Sequence, residues 1–310
     1  MRREGHAAMP LVSVVVVNWN TRELLARCLE SIRPAAGIAC EMIVVDNGST
    51  DGSQAMVRER FAPARLLANA DNVGFAQASN QGAAAARGDY VLLLNSDAQL
   101  LDGALAALVE LAAAQPKAAA VGARLLDIDH TFQASHGRFP TLGRELLILS
   151  GIGRLLYGGW YPSSGPDEQL GPQPVEWVGG ACMLLRRAAF DAVGGLDEGY
   201  FMYAEEMDLC YRLRAAGWEV WYQPAATVLH VGSASSVLHA PRREALLYRG
   251  RVRFFRKHHG AWKAVVLMCL IFTLTAIKIP VHVGLRAVSR GRWGRPVVSL
   301  RQLALAFKDR

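Results

Sequence analysis

No glycine occupies the turn after the first apolar run of this chain, which reads Asn18-Trp19-Asn20-Thr21. A dinucleotide cofactor needs glycines there so that backbone can approach its pyrophosphate, so an NAD- or FAD-dependent enzyme is not expected. No Walker A sequence is present either, which removes the P-loop hydrolases. Cysteine is sparse: Cys28, Cys40, Cys182, Cys210 and Cys269 are odd in number, scattered and without metal-ligand spacing. They argue against a disulfide framework or a structural zinc, and they fit buried thiols in a reducing compartment. The first ten residues lack the apolar core of a secretory signal and are expected to form a loose tail. There is no internal repeat, and no low-complexity tract beyond an enrichment in alanine.

What is present suits one large domain with an appendage. The 310 residues are 52% hydrophobic, enough for a substantial core. The net charge of +7 is unevenly spread: residues 242–310 hold sixteen Lys/Arg against two acidic residues, a net of +14, and the rest of the chain carries −7. Such a split points to an anionic surface as partner of the tail. Ala264–Ile277 is almost wholly apolar between Lys263 and Lys278. Fourteen residues are short for a bilayer, which needs about twenty, so an interfacial helix or hairpin is expected. A core helix of the soluble domain is the competing reading. The apolar interruption argues against nucleic acid as the tail's partner.

Strands and helices alternate over the first 120 residues. Leu11–Val17 and Glu41–Val45 read as strands, with a helix over Arg22–Arg33 capped by Thr21 and stopped by Pro34. A further helix to Arg60 and a short strand Arg65–Leu67 follow. An alanine-rich helix, Gln77–Arg87, comes next. Tyr90–Asp97 (YVLLLNSD) is the stretch on which the rest is organised: an apolar run that stops abruptly at polar turn residues. This pattern predicts a doubly wound α/β fold with a mostly parallel sheet, its chemistry at the carboxyl ends of the strands. A helix over Leu101–Ala114 and a strand near Ala119–Val121 complete the run. Residues 127–175 are irregular apart from a helical patch at Arg144–Leu149, and are expected to be a lid or acceptor-side loop. Beyond them, Val175–Arg186 reads as one strand, Tyr203–Ala216 as a helix ended by Gly217, and Val220–Tyr222 and Thr227–Val231 as two short strands.

Three constellations stand at predicted element ends. Asp46 closes the second strand, where an acidic residue commonly meets a ribose or base; by itself it equally forms a turn. Asp97, with Asn95 two residues before it, offers a carboxylate and an amide to a divalent cation carrying a diphosphate; taken alone, such an Asp more often starts a turn or caps a helix. His230, at another strand end, is a further candidate ligand, although an isolated His is more often packed or solvated. Glu205, Glu206 and Asp208 crowd the start of a helix, where its dipole offsets part of their repulsion. Carboxylates crowded beside the Tyr200–Tyr203 aromatic run gain proton affinity, which suits a general base. Arg212, four residues after Asp208, is expected to pair with it and leave Glu205 and Glu206 freer for chemistry.

Taken in order, VSVVVVNWN, VVDNGSTDGS, N-x-GFAQASNQG, LLLNSD, WVGGACMLLRRAAF, GGLDEGYFMYAEEMDLCYRLRAAGW and the segment from His230 to Ser233 resemble the family 2 glycosyltransferases. The likeness is to the rhamnosyltransferase-like members with a GT-A fold, and it runs from about Val12 to Gly260. It implies an inverting hexosyl transfer, possible donor dTDP-rhamnose, from a nucleotide-diphosphate sugar to a hydroxyl of a glycan or lipid-linked acceptor in cell-surface polysaccharide synthesis. It further implies that Asp46 contacts the base and Trp19 lines its pocket. Asn72 and Gly74 lie in the loop that closes on the donor, and Gly179-Gly180-Ala181 leaves room for the sugars. Asp97 binds Mg2+ or Mn2+ with His230 near the same ion, Glu206 is the base, and Ser235 or Ser236 is an alternative to Ser233. Where the wider superfamily has D-x-D, this chain has Asn95-Ser96-Asp97. The thin ligand set motivates an alternative, a catalytically inactive nucleotide-sugar-binding or scaffold protein of a membrane glycan-assembly complex. The expected organisation is a tail at 1–10, a glycosyltransferase domain at 11–240 and a basic, apolar helical region at 241–310. The expected location is the cytoplasmic face of the cell membrane.

Overall fold

Five valines in the seven residues 11–17 favour extended backbone, because β-branched side chains pack well on a pleated surface. They build the central strand of the sheet. The computed structural model describes residues 11–32, 38–159, 161–163, 171–232 and 240–288, together with 300, 303, 304 and 307. The tail at 1–10, Pro34 and the serines at 233, 235 and 236 lie outside these residues.

In chain order the elements begin with β1 (Leu11–Asn18), α1 (Arg22–Ser31), β2 (Ala39–Asp46), α2 (Ser53–Arg60), β3 (Arg65–Ala68), α3 (Phe75–Ala85) and β4 (Tyr90–Asn95). They continue with β5 (Ala98–Leu100), α4 (Ala104–Ala114), β6 (Ala118–Leu126), β7 (Phe132–Gln133), β8 (His136–Gly137), α5 (Leu142–Ser150) and α6 (Ile152–Tyr157). Then come β9 (Gln173–Val175), β10 (Trp177–Val178), β11 (Cys182–Arg186), α7 (Arg187–Ala192), α8 (Glu205–Ala215) and β12 (Glu219–His230). Two C-terminal helices follow, α9 (Ala240–His258) and α10 (Ala261–Val288).

The main sheet runs β3-β2-β1-β4-β11-β6-β12-β5. Its first four strands are parallel, as the alternation of elements predicts. Beyond β4 the sheet is mixed: β11 is antiparallel to both β4 and β6, and β5 is antiparallel to β12. The expected single strand at 175–186 is divided into β9, β10 and β11, with Gly179-Gly180-Ala181 turning the chain between the last two. The two strands expected at 220–231 are one strand, β12, whose register slips between Gln223 and Thr227.

Register brings the polar strand ends together. Asn18 pairs with Asp46, and Val17 with Asn95. The chain then turns at Asp97 and returns as β5, so that Ala98 pairs with His230. One short antiparallel pairing thus sets Asp97 beside a histidine far along the sequence.

Both faces of the sheet are covered, which is why its strands are apolar runs rather than alternating ones. Val12, Val14, Val16, Leu92 and Leu94 pack with Leu25, Leu29, Leu105 and Leu108 of α1 and α4. Val15, Ile43, Leu93 and Met183 pack on the other side with Ala76, Ala78, Leu209 and Leu213 of α3 and α8. A third cluster joins Tyr200 and Met207 to Phe254 and Phe255 of α9 and to Leu267 and Ile271 of α10. α10 is longer than the apolar run suggests, because helix continues past Lys263 and Lys278 and through Pro280. Ala261–Pro280 is by length and composition sufficient to cross a bilayer, and 22% of its most apolar window is buried against the protein.

Candidate active site

The carboxyl ends of β1, β2 and β4, the Gly179–Ala181 turn, the start of α8 and the end of β12 surround one cleft of about 670 Å³. Of the expected site residues, Trp19, Asn72, Gly74, Asn95, Asp97, Gly180, Glu205, Glu206 and His230 line it. Asp46 and Asp208 are not among its lining residues.

Asp97 and His230 meet at one end of the cleft. His230 Nε2 is 3.3 Å from Asp97 Oδ1 and 3.3 Å from Asn95 Nδ2. Its Nδ1 lies 2.9 Å from Gln133 Oε1. Two ligands on adjacent corners of an octahedral ion, each at about 2.1 Å, stand about 3 Å apart. A carboxylate oxygen and an imidazole nitrogen at 3.3 Å therefore fit one hard divalent cation between them. Among the described residues no three His, Cys, Asp or Glu side chains gather around a common point. Two protein ligands leave most of such a shell to substrate oxygens and water.

The other end of the cleft belongs to α8. Tyr203 and Ala204 both have positive φ, 73° and 74°, so the helix starts at Glu205 and not at Tyr203 as its composition suggests. Left-handed backbone at two non-glycine residues is costly and is typical of functional sites. The Oε2 atoms of Glu205 and Glu206 are both buried without a hydrogen-bond partner among the described residues. Burial raises the Glu206 carboxyl above the usual range, opposed by the backbone N–H groups opening the helix. Burial and then the neighbouring charge of Glu206 hold Glu205 well above that range. A poorly solvated carboxylate with a free oxygen in a cleft is equipped to take a proton from a hydroxyl.

Asp208 pairs with Arg212 as their spacing suggests, but it does not line the cleft with the other two carboxylates. It is fully buried and receives Arg212 Nε at 2.7 Å, His258 Nε2 at 2.7 Å and Lys257 Nζ at 2.8 Å. Burial raises its pKa, but hydrogen bonds from His258, Lys257 and Arg212 outweigh this and hold it far below the usual range. It is a structural anchor, because successive helical positions point different ways: Glu206 faces the cleft and Asp208 faces α9.

Asp46 is likewise occupied from within. Its carboxylate accepts from Asn18 Nδ2, the Ser49 N–H and Gln54 Nε2 at 2.8–2.9 Å. It shapes the turn after β2, and Asn47 rather than Asp46 reaches the cleft. Asn47 in turn donates to the Gly74 carbonyl at 3.1 Å, while Asn72 Oδ1 accepts from the Gly74 N–H at 3.0 Å. Thr21 does not cap α1 through its side chain; its hydroxyl donates to Asn18 Oδ1 at 2.7 Å. Further lining residues not marked by sequence reading are Asp127, Gln133 and Arg243.

The family model for glycosyl transferase family 2 matches residues 13–194. The chain belongs to glycosyl transferase family 2. It is 32% identical over 269 residues to the N-acetylglucosaminyl-diphospho-decaprenol L-rhamnosyltransferase of Mycobacterium tuberculosis, covering 81% of this chain and 86% of that protein. Over 56 residues, 18% of this chain and 21% of the relative, it is 48% identical to the rhamnosyltransferase WbbL of Escherichia coli. Among solved structures it is similar to the mannosyltransferase PcManGT of Pyrobaculum calidifontis in complex with GDP-Man and Mn2+. That match has a TM-score of 0.57 at 18% identity, covering 96% of this chain and 79% of that one. It is also similar to GalNAc-T7 with UDP, GalNAc and Mn2+, with a TM-score of 0.58 at 16% identity, covering 80% of this chain and 48% of that one. These likenesses give the glycosyltransferase its GT-A fold. Its family match ends at residue 194, so Glu205, Glu206, His230 and Arg243 all lie beyond it.

Proposed function

We propose that this glycosyltransferase transfers rhamnose from dTDP-rhamnose to a hydroxyl of a lipid-linked glycan, with inversion at the anomeric carbon. The reading is supported by the extent of the similarity to the mycobacterial rhamnosyltransferase, whose name gives a diphospho-decaprenol acceptor. The observation that carries the chemistry is the convergence of Asp97, His230 and Glu206 on one cleft.

The nucleotide lies at the ends of β1 and β2. There the half-exposed Trp19 ring offers a stacking face, and Asp46 holds the turn beneath. The diphosphate lies toward Asp97 and His230, which would hold a Mg2+ or Mn2+ ion; Asn95 would join them through its Oδ1 once its amide, whose Nδ2 faces His230, turns over. When bound, that ion neutralises charge on the departing diphosphate. Gly180 leaves the sugar room: a methyl group there would stand 3.6 Å from Glu206 Cβ. Glu206 accepts the acceptor hydroxyl's proton as that oxygen attacks the face opposite the leaving group. The protein works at the cytoplasmic face of the membrane. Five free cysteines fit a reducing compartment, and the largely exposed apolar length of α10 fits a lipid-linked acceptor.

The test mixes purified protein with dTDP-rhamnose and a lipid-diphosphate-linked N-acetylglucosamine, and follows release of dTDP with Mg2+, Mn2+ or EDTA. Metal-dependent release that needs acceptor and disappears in Glu206→Gln is the expected result. Donor binding without turnover on any acceptor would return the inactive scaffold.

A further inference from the structure

α6 is an amphipathic helix turned inside out. Ile152, Leu155 and Leu156 fall on one helical face by spacing, yet they are 49%, 85% and 62% exposed. Tyr157 beside them is also exposed, and its ring stacks on Tyr161 with centroids 5.2 Å apart. The face turned inward is the small one, Gly153 packed against the Tyr161 ring. α6 follows directly on α5, whose Leu146 is exposed and whose Leu149 is buried with Leu267 and Ile271 of α10. α10 itself exposes Trp262, Val265, Val266 and Ile277. Three helices in sequence or packing continuity thus present large apolar side chains outward, more than a soluble surface normally carries in one region.

We propose that α6, with the outer side of α5 and α10, is a surface that inserts into an anionic lipid bilayer. The inference rests on the reading of this enzyme as membrane-seated and extends it from the C-terminal helix to the segment between β8 and β9. Charge selects the occupant. α6 carries one ionisable group besides Tyr157, the exposed Arg154, and Ala261–Pro280 contains Lys263 and Lys278 and no acidic residue. Lys263 lies over the Trp262 ring, 5.5 Å from its centroid, an arrangement suited to a headgroup boundary.

The test is flotation with vesicles of phosphatidylcholine containing phosphatidylglycerol, comparing wild type with the double variant Leu155→Asp, Leu156→Asp. A second variant, Ile128→Asp, alters an exposed apolar residue outside this surface. The α6 variant is expected to lose vesicle binding about tenfold or more, while Ile128→Asp binds as wild type. Transfer to a soluble acceptor should persist in both, which separates this inference from the catalytic reading. Wild-type vesicle binding by the α6 variant would overturn the proposal. So would a vesicle-free dimer of the wild type that the α6 variant dissolves, since α6 would then be covered by a second copy.

A second inference rests on hydrogen-bond inventory. Gln133 Nε2 has two hydrogens; one goes to Asp127 Oδ1 and the other to the His230 carbonyl at 2.7 Å. The remaining polar atom, Oε1, can only accept, so it takes its hydrogen from His230 Nδ1 at 2.9 Å. Neutral His230 then presents an unprotonated Nε2 toward Asp97. Asp127 orients Gln133, and Gln133 fixes both the ring angle and the tautomer of His230. The geometry points to Gln133 and Asp127 as positioning residues for the cation shared by Asp97 and His230. A histidine ligand held through its other nitrogen in this way commonly loses ten- to a hundredfold in metal affinity when that partner is removed.

Binding of Mn2+ in the presence of dTDP, followed by the loss of the free-ion paramagnetic resonance signal, tests it without turnover. Gln133→Leu should weaken Mn2+ binding at least tenfold. Asp127→Asn keeps an oxygen that accepts from Gln133 Nε2 and should hold most of the affinity, whereas Asp127→Ala should lose it. Affinity within twofold of wild type in Gln133→Leu would end the proposal, as would equal binding by Asp127→Asn and Asp127→Ala.

Discussion

Lys257 on α9 reaches Asp208 on α8 at 2.8 Å, two residues beyond Glu206, the proposed base. α9 therefore pins the helix that carries Glu206, with Arg253 and Lys257 also gripping Asp197 at 3.0 and 2.7 Å. Asp208→Asn strands Arg212, Lys257 and His258 around a neutral amide. Breaking a buried ion cluster from one side costs about 3–5 kcal/mol, so the variant should melt well below wild type. The pH dependence has a defined sign. The Asp208 pKa is depressed on folding, so its stabilisation is present above its unfolded pKa of about 4 and is lost as pH falls below it. Thermal melts from pH 3 to 7 should show a steep acid limb in wild type and a flatter one in Asp208→Asn.

Glu205 and Glu206 reverse that sign. Their raised pKa values mean that the folded state holds protons the unfolded chain has released, so this pair costs stability as pH rises. Glu205→Gln should therefore raise the melting temperature at pH 8 more than at pH 4. As the proposed base Glu206 must be ionised, so the rate should fall on the acid side at a pH above the ordinary carboxylate range. Glu206→Gln should lower kcat by about 10²- to 10⁴-fold with dTDP binding unchanged. Glu206 ionises first, with Glu205 still neutral beside it, so Glu205→Gln should leave the acid limb near its wild-type pH. A limb moved to lower pH would show that Glu205 already carries charge when Glu206 ionises.

Arg243 lines the same cleft as four carboxylates, Asp97, Asp127, Glu205 and Glu206. Among the described lining residues it is the one Lys or Arg, and it comes from α9, outside the family match. A diphosphate entering so acidic a cleft needs positive charge. Arg243→Ala should weaken dTDP binding several-fold at low salt and flatten the salt dependence. Binding by titration calorimetry at 20 and 200 mM salt checks this. Equal losses at both salt concentrations would make Arg243 a packing residue.

How much of this was readable in advance follows from distance along the chain. Asn18, Asp46, Asn95 and His230 were legible as strand ends because apolar runs stop at them, and a parallel sheet gathers such ends along one edge. Gln133 was not, since it sits on a two-residue strand within an irregular stretch and reaches His230 only through the pairing of β7 with β6. The acidic triplet reads as one cluster because adjacency along the chain does not show which way each side chain turns. Helical rotation separates it into Glu206 at the cleft and Asp208 against α9. Arg243 is hidden in a basic tail whose charge, taken as a whole, suits an anionic surface. Which strands depart from parallel is not legible, because β11 takes its place between β4 and β6 through pairings far apart in the chain.

Gly74 and Gly180 both border the cleft, and the structure assigns them different tolerances. Gly74 has φ +90°, and a Cβ there would stand 2.6 Å from the Phe201 carbonyl oxygen. That backbone also accepts the Phe75 N–H at 2.7 Å, so the clash falls on a contact that joins α3 to the loop before α8. Gly74→Ala is strained in conformation and in space, and should lower both the melting temperature and kcat. Gly180 has only ordinary contacts for a methyl group, with Glu206 Cβ at 3.6 Å and Phe75 Cε1 at 4.0 Å. Gly180→Ala should fold with an unchanged melting temperature, raise the KM for the donor sugar and leave dTDP binding intact. Gly180→Leu should fill the space beside Glu206 and abolish transfer while dTDP still binds. Melting curves, donor KM and dTDP affinity for the three variants separate a loop held by backbone from a void kept open for a sugar. A Gly180→Leu enzyme with wild-type KM would place the sugar elsewhere.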